Sequence, residues 1–162
     1  MKLLTLIRHA KAGTIENLSD FDRPLNEKGC YDAEKIGEYL NKNLSKPDLI
    51  ISSPALRAVA TAEKIAQIIG YPADKIKYID ELYLCSTSEY IEVLLEQSVK
   101  IRHIFVVSHN PGTTNFVNLL TNENIDDIPT CGAAHIEIDI YKWEDIEPGT
   151  GSLKKLITPK NI

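Results

Sequence analysis

Three short, almost wholly apolar runs, Leu3–Ile7, Leu49–Ile51 and Ile104–Val107, are separated by stretches with helical spacing, and this alternation constrains the fold more than any other feature of the chain. Runs of this kind suit strands buried on both faces of a sheet, which is the situation of a parallel sheet covered by helices. Between them, Ala33, Ile36, Leu40 and Leu44 recur at i, i+3, i+7 and i+11, and Leu56, Val59, Ile65, Ile68 and Ile69 form a second apolar stripe. The pattern predicts an α/β fold, a three-layer sandwich with a mainly parallel sheet.

Local signals set approximate boundaries. Ser53-Pro54 offers an N-cap hydroxyl before a proline at the first helical position, and Gly70 followed by Pro72 closes that helix. A third helix is expected from about Ser88 to Leu95 behind Ser86/Thr87, and a fourth from about Thr113 to Leu120. From Ala134 to Tyr141, His135, Glu137 and Asp139 alternate with Ile136, Ile138 and Ile140, which predicts a strand with one wet face at an antiparallel edge of the sheet. Leu153–Ile157 reads as a last strand, paired through the turn Pro148–Gly151. No repeat, low-complexity tract or linker divides the chain, so residues 1–162 are expected to form a single domain, a length that buries a sizeable core. Between Ala12 and Leu25 no period is visible, and a loop of that length in a compact domain is more often functional than idle.

Charge and cysteine content exclude several function classes. With a net charge of -5 and no Lys/Arg run longer than Lys154-Lys155, the chain is not expected to bind nucleic acid or an anionic membrane. Cys30, Cys85 and Cys131 are odd in number and widely spaced, neither a disulfide framework nor a CxxC metal pair, which fits a reducing compartment. The first apolar run is cut short by Arg8, too early for a signal-peptide core or a membrane span. A cytoplasmic location is expected.

In open α/β sheets ligands bind beyond the carboxyl ends of the strands. There the first run delivers Arg8-His9-Ala10, the second Ser52-Ser53-Pro54 with Arg57 one turn into the helix, and the third Ser108-His109-Asn110-Pro111-Gly112. Two arginines and two histidines can thus converge on one crevice. Arginines cannot be deprotonated and repel a metal ion, whereas their forked donors match phosphate oxygens. Helix N-termini near Pro54 and Thr113 would add backbone N–H groups and positive dipole ends to the same anion site.

LLTLIRHAKAG, SSPALRAVATAEKI and VVSHNPG resemble, in order and strand context, the three motifs of the histidine phosphatase superfamily, the phosphoglycerate-mutase-like group. FDRPLNEKG and the HNPG form resemble its small phosphohistidine phosphatase branch, the SixA-like proteins, over nearly the whole chain. The resemblance implies that His9 attacks phosphorus and becomes a transient phosphohistidine that water hydrolyses, a displacement split into two steps. It assigns Arg8, Arg57 and His109 to a phosphate clamp, with His109 also counted among the catalytic groups, and it requires no cofactor and no metal. Neighbouring positive charges would keep the His9 imidazole neutral. A carboxylic acid after the second motif serves the ester-cleaving members, and Glu81 in YIDELYLC stands in about that place. The expected partner is a phosphorylated protein, a phosphohistidine phosphotransfer domain, or else a small phosphoester.

Two positions depart from the superfamily pattern. Ala10 replaces the usual glycine after the nucleophile, and Ile15 stands where many mutases carry a phosphate-binding asparagine, which disfavours mutase activity. Two alternatives stay open beside the phosphohistidine phosphatase: a broad small-molecule phosphomonoesterase that needs Glu81, and a non-catalytic module that binds phosphorylated partners. Neither a CxxxxxR nor a GxxxxGK[ST] pattern is present, so cysteine-based phosphatase and P-loop chemistry are disfavoured. Lys11 reads as a solvated residue that could attract an anion at the mouth. Asp20, Asp22 and Arg23 read as a charge pairing within the loop, His103 and His135 as strand residues without chemistry, and Cys131 as a small buried or turn residue.

Overall fold

Strands that must be apolar on both faces occupy the middle of a sheet, and the three apolar runs do so. The structure, a computed structural model, describes residues 1–162. In chain order the elements are β1 (Lys2–Arg8), α1 (Glu27–Asn43), β2 (Leu49–Ser52), α2 (Leu56–Ile69), β3 (Lys77–Tyr78), α3 (Thr87–Leu95), β4 (His103–Ser108), α4 (Gly112–Thr121), β5 (Ala133–Ile138) and β6 (Gly151–Ile157). The six strands lie in the order β3-β2-β4-β1-β5-β6. The first four are mutually parallel, β5 runs antiparallel to β1, and β6 antiparallel to β5.

Alternate residues of the central strands feed two cores. Ile7, Ile50, Phe105 and Val107 pack with Ile36 and Leu40 of α1 and Ile65 and Ile69 of α2. On the other face Leu4, Leu6, Ile51, Ile104 and Val106 pack with Tyr90 of α3, Phe116 and Leu120 of α4, and Trp143. Each such side chain contributes about 1.5–3 kcal/mol by leaving water, so the two faces hold the sheet from both sides. The result is the three-layer α/β sandwich that the strand–helix alternation predicts. No helix is long and apolar enough to cross a membrane.

Element details differ from the sequence expectations in physically interpretable ways. The alternating segment at Ala134–Tyr141 forms β5, but β5 is not the edge: it pairs with β1 on one side and β6 on the other, and it stops at Ile138. Alternation reports which face of a strand is less covered, whereas edge status depends on whether both hydrogen-bonding rims are occupied, and β6 occupies the second rim. His135 and Glu137 are accordingly half-buried rather than wet. The helix placed behind Ser53-Pro54 begins only at Leu56, with Ala55 at its N-cap and no side-chain cap; Ser53 stands two residues earlier, where its hydroxyl meets His109. The Ser86 signal acts as expected, as a capping box with Glu89. Two elements carried no readable signal: β3, two residues long, and the start of α1, where Asn26 accepts from the Gly29 N–H.

His103 and His135 are joined by a hydroxyl. Thr5 Oγ1 lies 3.0 Å from His103 Nε2 and 3.0 Å from His135 Nδ1, and His103 Nδ1 meets Ser45 Oγ at 3.0 Å. This chain satisfies the polar atoms of a buried patch of the sheet. Burial drives the pKa of His103 down to about 4, so the network is built from neutral rings.

Candidate active site

The carboxyl ends of β1, β4 and β2 are neighbours in the sheet, so the residues that follow them are gathered by backbone pairing alone. The His9 N–H donates to Ser108 O at 3.0 Å and the Ser53 N–H to Val107 O at 2.9 Å, extending the ladders one residue past the strands. Cys131, buried and at a φ of 61°, donates its N–H to the carbonyls of Arg8 and His9. The Ala10 N–H donates to Thr61 Oγ1 at 2.9 Å, and the Thr61 hydroxyl donates to Arg57 O at 2.7 Å. One threonine thereby ties the residue after His9 to the first turn of α2, which carries Arg57.

His9 Nδ1 lies 2.7 Å from the Ala10 carbonyl, which can only accept, so the ring proton sits on Nδ1. Nε2 is left with its lone pair, and it accepts from Arg57 Nε–H at 3.3 Å. The ring of His109 stands 5.1 Å from that of His9, with Nε2 2.7 Å from Ser53 Oγ. Ser53 Oγ also accepts from the Ala55 N–H at 3.2 Å, and its own proton can be given to His109 Nε2, the arrangement in which the His109 ring proton lies on the unpartnered Nδ1. The Arg8 guanidinium donates from Nη1 to Ile128 O at 2.8 Å and lies 3.5 Å from Asp127.

Two polar atoms in this cluster, Arg8 Nε and His109 Nδ1, are buried with no partner in the protein. An unmatched buried polar atom costs about 1–3 kcal/mol, so an unpaired guanidinium N–H and an unpaired imidazole nitrogen in one cluster mark the place where a hydrogen-bonding ligand belongs. A phosphoryl group, with oxygens on every side, suits that requirement.

Both rings are held neutral. The pKa of His9 falls to about 4, chiefly through burial, with Arg57, Arg8 and Arg23 adding to it against the Ala10 hydrogen bond, which favours the protonated form. That of His109 falls to about 3, again first through burial and then through His9 and Arg57. Burial therefore outranks the neighbouring charges, the cause that the sequence offers. Since a ring whose pKa is depressed to about 4 is almost wholly without its second proton near neutrality, His9 Nε2 is unprotonated at pH 7. We expect nitrogen NMR at pH 7 to show His9 with a protonated Nδ1 and a bare Nε2, and the ring to titrate near pH 4. A proton on Nε2 at neutrality would contradict this geometry.

The aperiodic loop is closed at its neck by the Ala12–Leu25 bridge and by Gly13 N–H to Pro24 O at 2.8 Å, and its tip reaches the site. Arg57 donates to the Asp20 carbonyl at 2.6 Å and to Asp20 Oδ2 at 3.0 Å. Tyr83 donates to the same carboxylate oxygen at 2.6 Å, and Arg23 to Oδ1 at 3.2 Å. These hydrogen bonds, Tyr83 first, hold the Asp20 carboxyl down at about 2. The Tyr83 ring stands edge-on to His109 and to Phe21, roofing the crevice. Asp20 thus contacts Arg57 as well as its loop neighbour Arg23, while Asp22 accepts from the Ser19 hydroxyl.

Tyr83 is passed over by the strand-end rule and Asp20 reads from sequence as a local pairing, whereas Ser53 stands at a strand end but reads as a helix cap rather than as a partner of His109. Glu81 is exposed on the short 3-10 turn Asp80–Leu82, and no hydrogen bond or ion pair joins it to His9, His109, Arg8 or Arg57. The side chain that this segment sends into the site is Tyr83. Ile15 is exposed on the loop, and Lys11 is exposed beside Arg8 at the mouth of an adjoining cavity.

Comparison with known proteins bears on the family and the fold. The profile of the histidine phosphatase superfamily (branch 1) matches residues 4–92. An uncharacterised protein of Mycobacterium tuberculosis is 29% identical over 164 residues, covering 95% of this chain and 100% of the relative. The phosphohistidine phosphatase SixA of Escherichia coli is 25% identical, covering 97% of this chain and 94% of that protein. Among solved structures, a protein histidine phosphatase SixA complexed with tungstate superposes with a TM-score of 0.84 at 23% identity, covering 98% of each chain.

Proposed function

The chain belongs to the histidine phosphatase superfamily, and from that premise we propose that it removes a phosphoryl group through a phosphohistidine intermediate on His9, with protein phosphohistidine as its substrate. The observation that carries the reading is the bare Nε2 of His9 beside the buried, unpartnered Arg8 Nε and His109 Nδ1. In the first step the Nε2 lone pair forms a bond to phosphorus as the bond to the leaving group breaks on the opposite side. In the second, water attacks the same phosphorus, the P–N bond returns its electron pair to Nε2, and inorganic phosphate leaves. Arg8, Arg57 and His109 donate to the oxygens over which charge spreads, and these donors are already fixed before reaction. Arg57 is engaged on Asp20, so an incoming phosphoryl oxygen shares that guanidinium with a carboxylate or displaces it.

The preference for a phosphoramidate rests on the acid. Asp20 is the carboxylate in contact with the clamp, and with a pKa near 2 it is a poor proton donor at neutral pH. Glu81 is the acid that a phosphomonoesterase reading requires, and it has no hydrogen bond fixing it over the crevice. An imidazole leaving group departs with far less protonic help than an alkoxide, so a site with a weak acid suits phosphohistidine. The name of the Escherichia coli relative points the same way.

Turnover of a phosphohistidine peptide, p-nitrophenyl phosphate and a phosphoserine peptide should be compared in the wild type and in Glu81→Gln. We expect phosphohistidine to be the best substrate and to change less than about threefold in the variant. A loss on the order of 10²-fold or more, confined to phosphoserine, is what removal of a working general acid would cause and would favour the small-molecule esterase. Phosphate binding without turnover of any of the three would favour a non-catalytic module.

A further inference from the structure

Arg8 also lines a cavity of about 590 Å³ to which Arg57, His9 and His109 do not contribute and which no hydrophobic side chain lines. Arg8, Lys11, Lys28 and Lys160 face it, against Asp32 and Asp127. The two carboxylates are already matched: Asp32 accepts from Lys28 Nζ at 2.6 Å, and Asp127 lies 3.5 Å from Arg8. Lys11 and Lys160, both exposed, form no salt bridge, so the cavity carries two uncompensated cations in a protein whose net charge is -5.

The walls are built rather than incidental. The Asn26 N–H donates to Lys11 O at 3.0 Å, and a Cβ on Gly29 would lie 2.1 Å from that oxygen, so only glycine lets the first turn of α1 press against Lys11. That contact brings Lys28 and Asp32 beside Arg8. Opposite them, the C-terminal segment is held by Lys35 Nζ donating to Pro159 O at 2.8 Å and by Asn161 bonding Thr158 N and Leu156 O, which sets Lys160 on the rim. Arg8 is the residue that the cavity shares with the phosphate clamp of the reading above, and it links an occupant of the cavity to the phosphoryl site.

We propose that the cavity is a second anion subsite, where Lys11 and Lys160 receive a carboxylate or a further phosphate of the substrate next to the phosphoryl group being removed. The assignment rests on the phosphatase reading above and narrows its substrates to those carrying a second negative group close to the first. For a protein substrate, that group is an acidic side chain flanking the phosphohistidine. For a small molecule, it is a carboxylate or second phosphate on the same skeleton. Solvent-exposed lysine–carboxylate contacts are individually modest and fall with ionic strength, which gives the subsite a salt signature.

The test uses phosphohistidine peptides with glutamate or glutamine beside the phosphorylated residue, and a small carboxylated phosphoester against its amide. The proteins are the wild type and the double variant Lys11→Gln/Lys160→Gln. The expected result is a KM about five- to tenfold lower for the acidic member of at least one pair in the wild type, abolished by the double variant or by 0.5 M salt, with kcat within about twofold. Which pair shows the effect tells protein from small-molecule substrate. Equal KM values across both pairs in the wild type overturn the subsite even if hydrolysis is fast. Binding of the same probes to His9→Ala, with and without the lysine substitutions, reads the subsite without turnover. Weaker binding of the acidic probe in the lysine variant supports the subsite even if the wild type hydrolyses nothing, and unchanged binding overturns it.

Discussion

His9→Ala is expected to lower phosphohistidine turnover by on the order of 10⁴-fold or more, because loss of a nucleophile removes the whole two-step route rather than one stabilising contact. Brief incubation of the wild type with a labelled phospho-donor should leave a label that is acid-labile and alkali-stable, and that label should be absent from the variant. The folded protein should tolerate the change. His9 is half-buried, and its side chain makes two hydrogen bonds, to the Ala10 carbonyl and with Arg57 Nε, neither of which holds an element in place. A variant that melts like the wild type yet still acquires the label would place the phosphoryl group on another residue and remove the basis of the mechanism.

Arg57→Ala should be the most damaging change among the charged groups. The side chain is 4% exposed and has three engagements: the lone pair of His9, the Asp20 carbonyl and the Asp20 carboxylate. Its removal takes a donor from the phosphoryl oxygens, a positive charge from beside His9, and the anchor of the loop tip. We expect kcat/KM to fall about 10³-fold, the scale for a preorganised donor that acts on developing charge. A stability loss of about 1–2 kcal/mol should accompany it, limited because Asp20 is nearly half exposed and solvent takes over part of the interaction. Arg57→Lys should recover little of the rate. One ammonium keeps the charge but lacks the planar fork that meets Asp20 with two nitrogens while a third faces His9. Full activity in Arg57→Lys would show that only the charge matters, and near-normal kcat/KM in Arg57→Ala would exclude Arg57 from the clamp.

Where the sequence could be read, the signals were additive along the chain. Leu3–Ile7, Leu49–Ile51 and Ile104–Val107 had to be buried on both faces, and only a central position in a covered sheet satisfies that, so the layer structure and the strand ends carrying Arg8, His9, Arg57 and His109 followed. Motif order then gave those four residues a shared chemistry. The edge at Ala134–Tyr141 was misjudged for a definite reason: a period of two measures side-chain exposure and is silent about hydrogen-bonding partners, which here include β6. Ser53 was read as a helix cap because hydroxyl before proline is a local signal, whereas its hydroxyl meets His109, 56 residues away in the chain.

The amino-acid sequence by itself determined that this protein is an α/β sandwich with a set of arginines and histidines at or just beyond its strand ends, since periodicity and residue chemistry are properties of short windows. Only the tertiary structure decided which histidine nitrogen is bare, that Asp20 and Tyr83 close over Arg57, and that Lys11 and Lys160 border a common cavity. The first depends on how the His9 ring turns toward the Ala10 carbonyl, and the others on contacts between segments 37, 63 or more residues apart, where no local pattern records the partner and packing alone selects it.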